Sequence, residues 1–271
     1  MVPERKQHAP SATSELFLAR ATKPVALGRH TDVVAVEEPL EIVVEGEPLA
    51  VTMRTPGNDE ELAAGFLHGE GLLRGAPRFA ADSELPANRV EVTSAVAYRP
   101  SSRRFYTTSS CGVCGKGALE EVSVHAPRID DGVRLPREVL ARLPERLEQP
   151  GFRRTGGLHA TALFDAAGEL LCVREDVGRH NAMDKVIGWA LLCERTPLTG
   201  CVLCVSGRIS FELVQKAAVA QAPVLVGVGA ATSLAIELAQ DRGMTLCGFA
   251  RGESVNVYTG QERVRGAALA S

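Results

Sequence analysis

The second half of the chain alternates short apolar runs with longer amphipathic segments, and this alternation constrains the fold more than any other feature of the sequence. The runs "CVLCV" (201–205), "PVLVGVG" (223–229) and "TLCGFA" (245–250) have the length and apolar character of buried strands. Strands that alternate with helical patterns of about 10–15 residues are typical of an α/β layer with a largely parallel sheet. We therefore predict an α/β domain over residues 151–265.

The first half contains shorter, β-rich elements. The segment "PLEIVVEGEPLAVTMRTP" (39–56) has two β-rich runs around a Glu-Gly-Glu-Pro turn and predicts a hairpin. The following "NDEELAAGFLHGEGLL" predicts a helix with Asn58 as its N-cap and carboxylates in its first turn. Further strands are predicted at 88–100 and 103–110, and "PREVLARLPERLEQ" predicts a helix that Pro144 bends or ends.

These patterns divide the chain into four parts. We predict a flexible N-terminal tail over 1–30, a smaller β-rich lobe over 31–150, the α/β domain over 151–265 and a short tail over 266–271. The stretch "PGFRRTGG", which begins at the end of the β-rich lobe, is interpreted as the joint between the two lobes. The β-rich lobe carries a glycine-rich loop with two thiols, over 103–119.

Composition excludes several classes of protein. The 271 residues are 45% hydrophobic and carry a net charge of −3, which argues against a large polyanion-binding face, so nucleic acid is not an expected partner. The first twenty residues contain no apolar run of the length that a signal peptide or a membrane span needs. Seven cysteines, an odd number in mostly apolar surroundings, favour reduced thiols. We expect a cytoplasmic protein without membrane association.

Three connections in the α/β half leave a strand through small or polar residues and enter a helix. They are "REDVGRHNA" (174–182), "SGRISFE" (206–212) and "GVGAATS" (227–233). Helix N-termini at the carboxyl ends of strands offer free N–H groups to anions, and the guanidinium of Arg208 suits a phosphate. A nucleotide-like ligand is one interpretation and tight packing at the turns is the other, because Thr232 stands where a dinucleotide fingerprint requires a glycine.

Two histidines in this half could have either a catalytic or a structural role. His180 and Asp184 are four residues apart in a predicted helix, so they can share a face as a base and its orienting carboxylate. His159 alternates with apolar neighbours in a predicted strand. We favour the structural interpretation for both, namely a solvated or capping pair for the first and a core or cleft histidine for the second.

The segment "SSCGVCGKG" (109–117) places Cys111 and Cys114 in a glycine frame, and zinc is the first explanation to weigh. A four-thiolate clip would need Cys201 and Cys204, but these lie in a predicted buried strand whose residues three apart point to opposite faces. They are therefore expected to be small core residues. A zinc deaminase site would combine "HGE" at 68–70 with a Pro-Cys-x-x-Cys element, and this sequence has serine in place of that proline.

A dithiol redox couple and a sulfur carrier are the remaining explanations of the two thiols. Neighbouring cations, among them Lys116, would favour the thiolate in either case. The glycines at 112, 115 and 117 discourage a helix after the first cysteine, unlike the start of a thioredoxin-type unit. An accessible loop of this kind suits a thiolate that accepts a sulfane sulfur as a persulfide and later gives it up.

Five motifs in order resemble one known family. The segments "CGVCGKG", "REDVGRHNAMDKVIG", "SGRISFELVQKAA", "LAIELAQ" and "MTLCGFARGESVNVYTG" are similar to those of the formate dehydrogenase accessory sulfurtransferases, the FdhD/NarQ type, over roughly residues 35 to 260. The resemblance implies a cytidine-deaminase-like, three-layer C-terminal domain beside the smaller β-rich lobe. It also implies a homodimer, no resident metal ion, and a guanine nucleotide as a partial mimic of the bound ligand.

The resemblance implies a sulfurtransferase function as well. Sulfur would come from a cysteine desulfurase, reside as a persulfide on Cys111 with Cys114 as the supporting thiol, and pass to the bis-molybdopterin guanine dinucleotide cofactor that formate dehydrogenase requires. The segment that contacts the cofactor maps onto Phe249, Ala250, Arg251, Gly252, Glu253 and Ser254, and Arg208 is a further candidate. No role follows for Cys172, Cys193, Cys201, Cys204 and Cys247. A cofactor-binding chaperone without sulfur transfer and a zinc-dependent, deaminase-like enzyme are the alternatives.

Overall fold

The structure is a computed structural model and describes residues 12–28, 30–80, 88–96, 105–107 and 126–266. Two sheets dominate it, a five-stranded sheet in the first half and a six-stranded sheet in the second. Within the described residues, no helix is both long and apolar enough to span a membrane.

The N-terminal region is more ordered than the flexible tail that the sequence predicts. Helix α1 (Ala12–Ala21) leads into strand β1 (Thr22–Leu27), which pairs antiparallel with β2 (His30–Ala35). Ala21 is fully buried, and its carbonyl accepts the N–H of Val36 at 2.8 Å. The prediction of a tail over 1–30 is therefore wrong for its described part, because these residues pair with the chain that follows.

The β-rich lobe is a five-stranded sheet with a helix. Its sheet has the order β5-β6-β3-β4-β7, and β3 and β4 form the predicted antiparallel hairpin. Asn58 precedes helix α2 as predicted, but its side chain makes no capping hydrogen bond. The elements are β3 (Glu38–Val44), β4 (Glu47–Arg54), α2 (Asp59–Gly69), β5 (Leu73–Phe79), β6 (Arg89–Val96) and β7 (Phe105–Thr107).

A short helical region connects the lobes. It consists of β8 (Leu135–Pro136), α3 (Arg137–Arg142), a 3₁₀ turn (Leu143–Arg146) and α4 (Pro150–Thr155). Pro144 lies in the 3₁₀ turn directly after α3, so the predicted end of the helix at this proline is confirmed. The predicted joint instead begins with α4, whose first N–H groups, of Gly151 and Phe152, donate to the Glu175 carboxylate at 2.8 and 2.7 Å.

The C-terminal sheet has the order β10-β9-β11-β12-β13-β14. Only the pairs β11·β12 and β12·β13 are parallel, while β10·β9, β9·β11 and β13·β14 are antiparallel. The predicted, largely parallel sheet is therefore a mixed one, since a hairpin lies on each side of its parallel centre. The elements are β9 (His159–Phe164), β10 (Leu170–Asp176), α5 (Arg179–Leu192), β11 (Val202–Val205), α6 (Phe211–Val219), β12 (Val224–Gly227), α7 (Ser233–Asp241), β13 (Thr245–Arg251), β14 (Ser254–Thr259) and β15 (Val264–Arg265).

Both faces of this sheet are covered. In β11, Leu203 and Val205 belong to the core on one face, whereas Val202 and Cys204 belong to the core on the other. The prediction that Cys204 is a core residue is confirmed, and Cys201 packs partly buried against the first core. Cys201 and Cys204 therefore face opposite sides of the sheet, as their spacing predicted, which argues against one four-thiolate clip that uses both.

The two lobes are held together by close packing of α2 on α5. A Cβ built on Gly65 would overlap the backbone of Asp184, and one on Gly188 would overlap the backbone of Glu61. Any larger residue at these positions would push the helices apart. The Arg174 guanidinium adds a bidentate pair with the Glu61 carboxylate, at 2.6 and 2.7 Å.

Candidate functional site

The carboxyl ends of the three parallel strands meet at one edge of the C-terminal sheet. Backbone hydrogen bonds join their turns, from Gly229 N to Gly207 O and from Phe249 N to Gly229 O, each at 3.1 Å. We call residues 206–208, 228–230 and 249 the carboxyl edge. Two of the three predicted strand-to-helix turns contribute to it, and such an edge is where open α/β sheets bind ligands.

Two glycines allow the turns of the carboxyl edge to stack closely. A Cβ on Gly229 would lie 3.0 Å from Arg208 N, and a Cβ on Gly248 would lie 3.0 Å from Gly229 O. Because both contacts are with backbone atoms, they leave no space for a side chain. The backbone itself therefore forms the floor of the edge, where a ligand can approach it closely.

Three apolar side chains near this floor are exposed to solvent. Phe249 is 50% exposed, Leu234 46% and Val228 37%, and the Arg208 side chain next to them is exposed as well. Phe249 has φ 52°, a left-handed conformation that a bulky residue rarely adopts. An exposed ring and an exposed guanidinium on the same edge suit a ligand with a planar base and phosphate groups.

Only some residues of the predicted cofactor segment 249–254 are exposed and could contact a ligand. Phe249, Arg251 and Ser254 are exposed, and Gly252 makes the turn with φ 61°. The structure does not bring all six residues to the surface, because Ala250 is buried in the core. The Glu253 carboxylate lies 3.4 Å from the Arg142 guanidinium.

His180 does not pair with Asp184 in the way that their spacing permits. Its Nε2 lies 2.7 Å from Glu212 Oε2 and 3.2 Å from Ser210 Oγ, at the start of α6. The hydrogen bond with His180 lowers the pKa of the Glu212 carboxyl. Asp184 instead binds Lys216, with Nζ 2.8 Å from Oδ1. The expected solvated or capping pair is therefore wrong, because Asp184 is buried and each of the two residues binds a side chain of α6.

His159 borders the carboxyl edge, as a cleft histidine would. It lies across from Asp176 in the β9·β10 register, and a Cβ on Gly207 would touch its Nδ1 at 3.5 Å. Burial lowers the pKa of the His159 imidazole, and the charges of Arg179 and His180 lower it further. A neutral imidazole therefore faces the edge near pH 7.

The turn between β10 and α5 is built around a buried carboxylate. Asp176 accepts from Gly178 N at 2.8 Å and from Thr55 N at 3.1 Å, and Lys185 Nζ lies 2.7 Å from its Oδ2. Lys185 also donates to Thr55 O at 2.8 Å. We call Asp176, Lys185, Thr55 and Asn181 the hub. It ties the end of β4 to the C-terminal sheet.

Sequence reasoning missed the hub. The interpretations of "REDVGRHNA" were an anion-binding turn or tight packing, and neither assigned partners to Glu175, Asp176 and Asn181. Their side chains bind backbone groups or each other. One feature of the sequence could have indicated the hub: several polar and charged residues stand among apolar ones at the start of the predicted helix. Asn181, Asp184 and Lys185 are all buried in the first turns of α5.

Cys111 and Cys114 lie outside the described residues. The described strand closest to them in the chain, β7, runs parallel to β4, with Thr107 beside Thr52. Burial raises the pKa of the other thiols near the sheet, to about 12 for Cys172 and Cys247. The pKa of Cys204 is raised by burial too. These three cysteines are therefore poor nucleophiles.

The described residues contain no group of three or more His, Cys, Asp or Glu side chains that could hold a metal ion. The "HGE" segment of the deaminase hypothesis is at the end of α2, where His68 is partly buried. Burial lowers the pKa of the His68 imidazole, and a hydrogen bond from the imidazole to the backbone of Val219 opposes part of this change.

The fold and the site define a class of protein: a mixed α/β domain with an exposed carboxyl edge, joined by a buried hub to a β-rich lobe, in a chain whose sequence contains a Cys-x-x-Cys motif. Residues 35–265 match the model of the FdhD/NarQ family, and the chain belongs to this family. The family resemblance of the sequence is thereby confirmed.

Curated relatives are similar over most of the chain. A protein named sulfur carrier protein FdhD from Streptomyces avermitilis is 51% identical over 233 residues, covering 79% of this chain and 83% of its own length. One of the same name from Saccharolobus solfataricus is 43% identical over 217 residues, with 79% and 83% covered. A solved structure described as a formate dehydrogenase accessory protein, from Desulfotalea psychrophila, has a TM-score of 0.70 at 27% identity and covers 90% of this chain and 97% of its own.

Proposed function

We propose that this protein is a sulfur carrier that serves formate dehydrogenase. The observation that carries the proposal is the similarity to relatives named sulfur carrier protein FdhD, at 51% identity over 233 residues. The segment "CGVCGKG" supplies the dithiol that such a role needs. The relative described as a formate dehydrogenase accessory protein indicates the enzyme that benefits.

Loading is a thiol exchange at Cys111. Its thiolate attacks the outer sulfur of a persulfide on a cysteine desulfurase, a new S–S bond forms on Cys111, and the desulfurase cysteine leaves as a thiolate. The step transfers a sulfane sulfur without net oxidation or reduction. Lys116, two residues after Cys114, favours the attacking thiolate by its charge.

Discharge uses the second thiol. Cys114 attacks the inner sulfur of the Cys111 persulfide, which closes a Cys111–Cys114 disulfide and expels the outer sulfur as hydrosulfide. The sulfane sulfur gains two electrons and the two cysteines lose two. A cellular dithiol then reduces the disulfide for the next cycle.

The carboxyl edge is the proposed binding place of the acceptor, the bis-molybdopterin guanine dinucleotide cofactor. The exposed Phe249 ring can stack on a guanine, and Arg208 and Arg251 can contact the phosphates. Helix α7 also begins at this edge, which favours anions. The cofactor is the substrate of this reaction.

Chain length limits how far Cys111 can lie from the hub. An extended chain spans at most about 3.5 Å per residue, so a residue four positions after Thr107 can lie at most about 14 Å from it. Thr107 pairs with Thr52, whose hydroxyl donates to Asn181 in the hub. The proposal includes a homodimer in the cytoplasm, as the family resemblance implies.

The decisive experiment is mass spectrometry of the purified protein after incubation with a cysteine desulfurase and cysteine. The Cys111 peptide should gain about 32 Da, one sulfur atom held as a persulfide. Cys111→Ala should abolish this gain and should fail to restore formate dehydrogenase activity in cells that lack the native protein. Cys193→Ala is the matched control, because Cys193 is an exposed thiol outside the motif.

Two outcomes would contradict the proposal. Full restoration of activity by Cys111→Ala would remove the carrier role. An unmodified Cys111 in a wild-type protein that still binds guanine nucleotide would favour the cofactor-binding chaperone instead.

A further inference from the structure

The strand that leads to the thiols is held by one neighbour among the described residues. β7 is the last strand of its sheet and pairs with β4 alone there, through Ala50, Val51 and Thr52. Thr107, its final residue, lies beside Thr52. Whatever fixes the end of β4 therefore also fixes the position of Thr107, which precedes Cys111 by four residues in the sequence.

The end of β4 is attached to Asn181 by side-chain hydrogen bonds. Asn181 Nδ2 donates to Met53 O at 2.7 Å and to Asp176 Oδ1 at 3.0 Å, and its Oδ1 accepts from Thr52 Oγ1 at 3.3 Å. Thr52 and Asn181 are both buried. The Asn181 amide thus uses its two ends to join β4 to the β10–α5 turn.

The start of α5 and the neighbouring strand β9 both lie close to the carboxyl edge. His180, the residue before Asn181, contacts Ser210 in the turn that follows β11, and His159 borders Gly207. Asn181 consequently lies between two structures that must work together, namely the β4·β7 pair that leads to the thiols and the edge that would hold the sulfur acceptor.

We propose that Thr52 and Asn181 are positioning residues that fix the direction of the thiol-bearing segment relative to the carboxyl edge. This inference rests on the proposed function. The lobes do not depend on this contact, because α2 packs on α5 without it and Lys185 binds both Asp176 and Thr55 O. Loss of the Thr52 hydroxyl therefore loosens the end of β4 locally and leaves the assembly of the lobes intact.

Thr52→Val tests this role, since valine keeps the shape of threonine and removes the donor. Thr52→Ser keeps the donor and is the rescue variant. Thr161→Val is the matched control: Thr161 is buried, and its hydroxyl has no hydrogen-bond partner among the described residues. All three proteins are compared with wild type in loading, in nucleotide binding and in delivery.

Three measurements separate the steps. Loading is the mass gain on Cys111 after incubation with desulfurase and cysteine, binding is the affinity for guanosine diphosphate, and delivery is the formate dehydrogenase activity restored in cells that lack the native protein. We expect Thr52→Val to load and bind within twofold of wild type and to deliver about tenfold less, while Thr52→Ser and Thr161→Val deliver as wild type does. Asn181→Ala, which removes all three hydrogen bonds, should show the same pattern more strongly.

Two results would overturn the inference. One is delivery by Thr52→Val at the wild-type level. The other is an equal loss of loading, binding and delivery, which would mark the contact as merely structural. Failure of the wild-type protein to load Cys111 is a different result, because it would refute the proposed function itself.

Discussion

Lys185 Nζ lies 2.7 Å from Asp176 Oδ2 at a place where neither side chain is exposed to solvent. Both charges belong to the hub, and Asp176 also accepts backbone N–H groups of Gly178 and Thr55. A buried ion pair is costly to break, because removing one partner leaves the other charged group without compensation. This pair therefore links the stability of the protein to the geometry of its site.

Lys185→Met should lower the free energy of unfolding by about 3–5 kcal/mol, because Asp176 would remain buried without its cation. Urea denaturation followed by circular dichroism measures this change. Arg146→Met is the comparison, since the Arg146–Glu169 pair is solvent-exposed and should contribute far less. Equal effects of the two substitutions would contradict the importance of the buried pair.

Gly65→Ala should destabilise the protein by about 1–3 kcal/mol, since the added methyl group overlaps the backbone of Asp184 and must separate α2 from α5. Thermal unfolding checks this expectation. Gly132→Ala is the matched control, because a Cβ there meets nothing within 4 Å and its φ is not left-handed. A Gly65→Ala protein as stable as the Gly132→Ala protein would show that the helices can separate freely.

Phe249→Gly should have opposite effects on stability and binding. Glycine adopts the φ of 52° without strain, so the free energy of unfolding should rise by about 0.5–1 kcal/mol. Loss of the exposed ring should weaken guanosine diphosphate binding about tenfold, as measured by calorimetry. Leu192→Ala is the control, because Leu192 is an exposed apolar residue away from the edge. Alanine is used there and not glycine because Leu192 lies in a helix. Unchanged affinity in Phe249→Gly would exclude the ring from the site.

The His159 imidazole should titrate below 6.5, because burial and then the charges of Arg179 and His180 oppose its protonation. Since the folded-state pKa is lower than the unfolded one, the unfolded chain binds the proton first, and stability is lost as the pH falls below 6.5. NMR of the ring protons measures the midpoint, and His159→Gln identifies the signal. The same substitution should reduce the loss of stability between pH 6.5 and 5. A midpoint above 6.5 would contradict this account.

Local sequence patterns predicted most elements of the C-terminal domain, together with the hairpin before α2. These elements follow from periodicity and from turn residues that are close in the chain, as at Glu45 and Gly46, which both have positive φ. Such local patterns did not predict the order of the strands in the sheet. β9 lies between β10 and β11 and pairs antiparallel with both, and nothing within its own six residues specifies the second partner.

The candidate site was also predicted only in part, because local patterns identify residues but not their distant partners. Arg208 and Phe249 were identified from turns and motifs, and the structure brings both to the carboxyl edge through backbone bonds with Gly229 and its neighbours. The expectation for His180 and Asp184, a solvated or capping pair, rested on their spacing alone. Lys216 and Glu212, which come from another helix, bind these two residues instead.

The sequence by itself determined which reactive groups are present, namely a glycine-framed dithiol, an arginine in a predicted turn and a phenylalanine in a family motif. It also determined the alternation of strands and helices in the second half. The tertiary structure alone decided which polar side chains of the "REDVGRHNAMDK" segment are buried and what they bind. Thr52 and Asn181 are 129 positions apart, and their hydrogen bond exists only because the packing of two lobes brings them together. Contacts of this kind depend on the summed packing of many residues, and no local pattern encodes them.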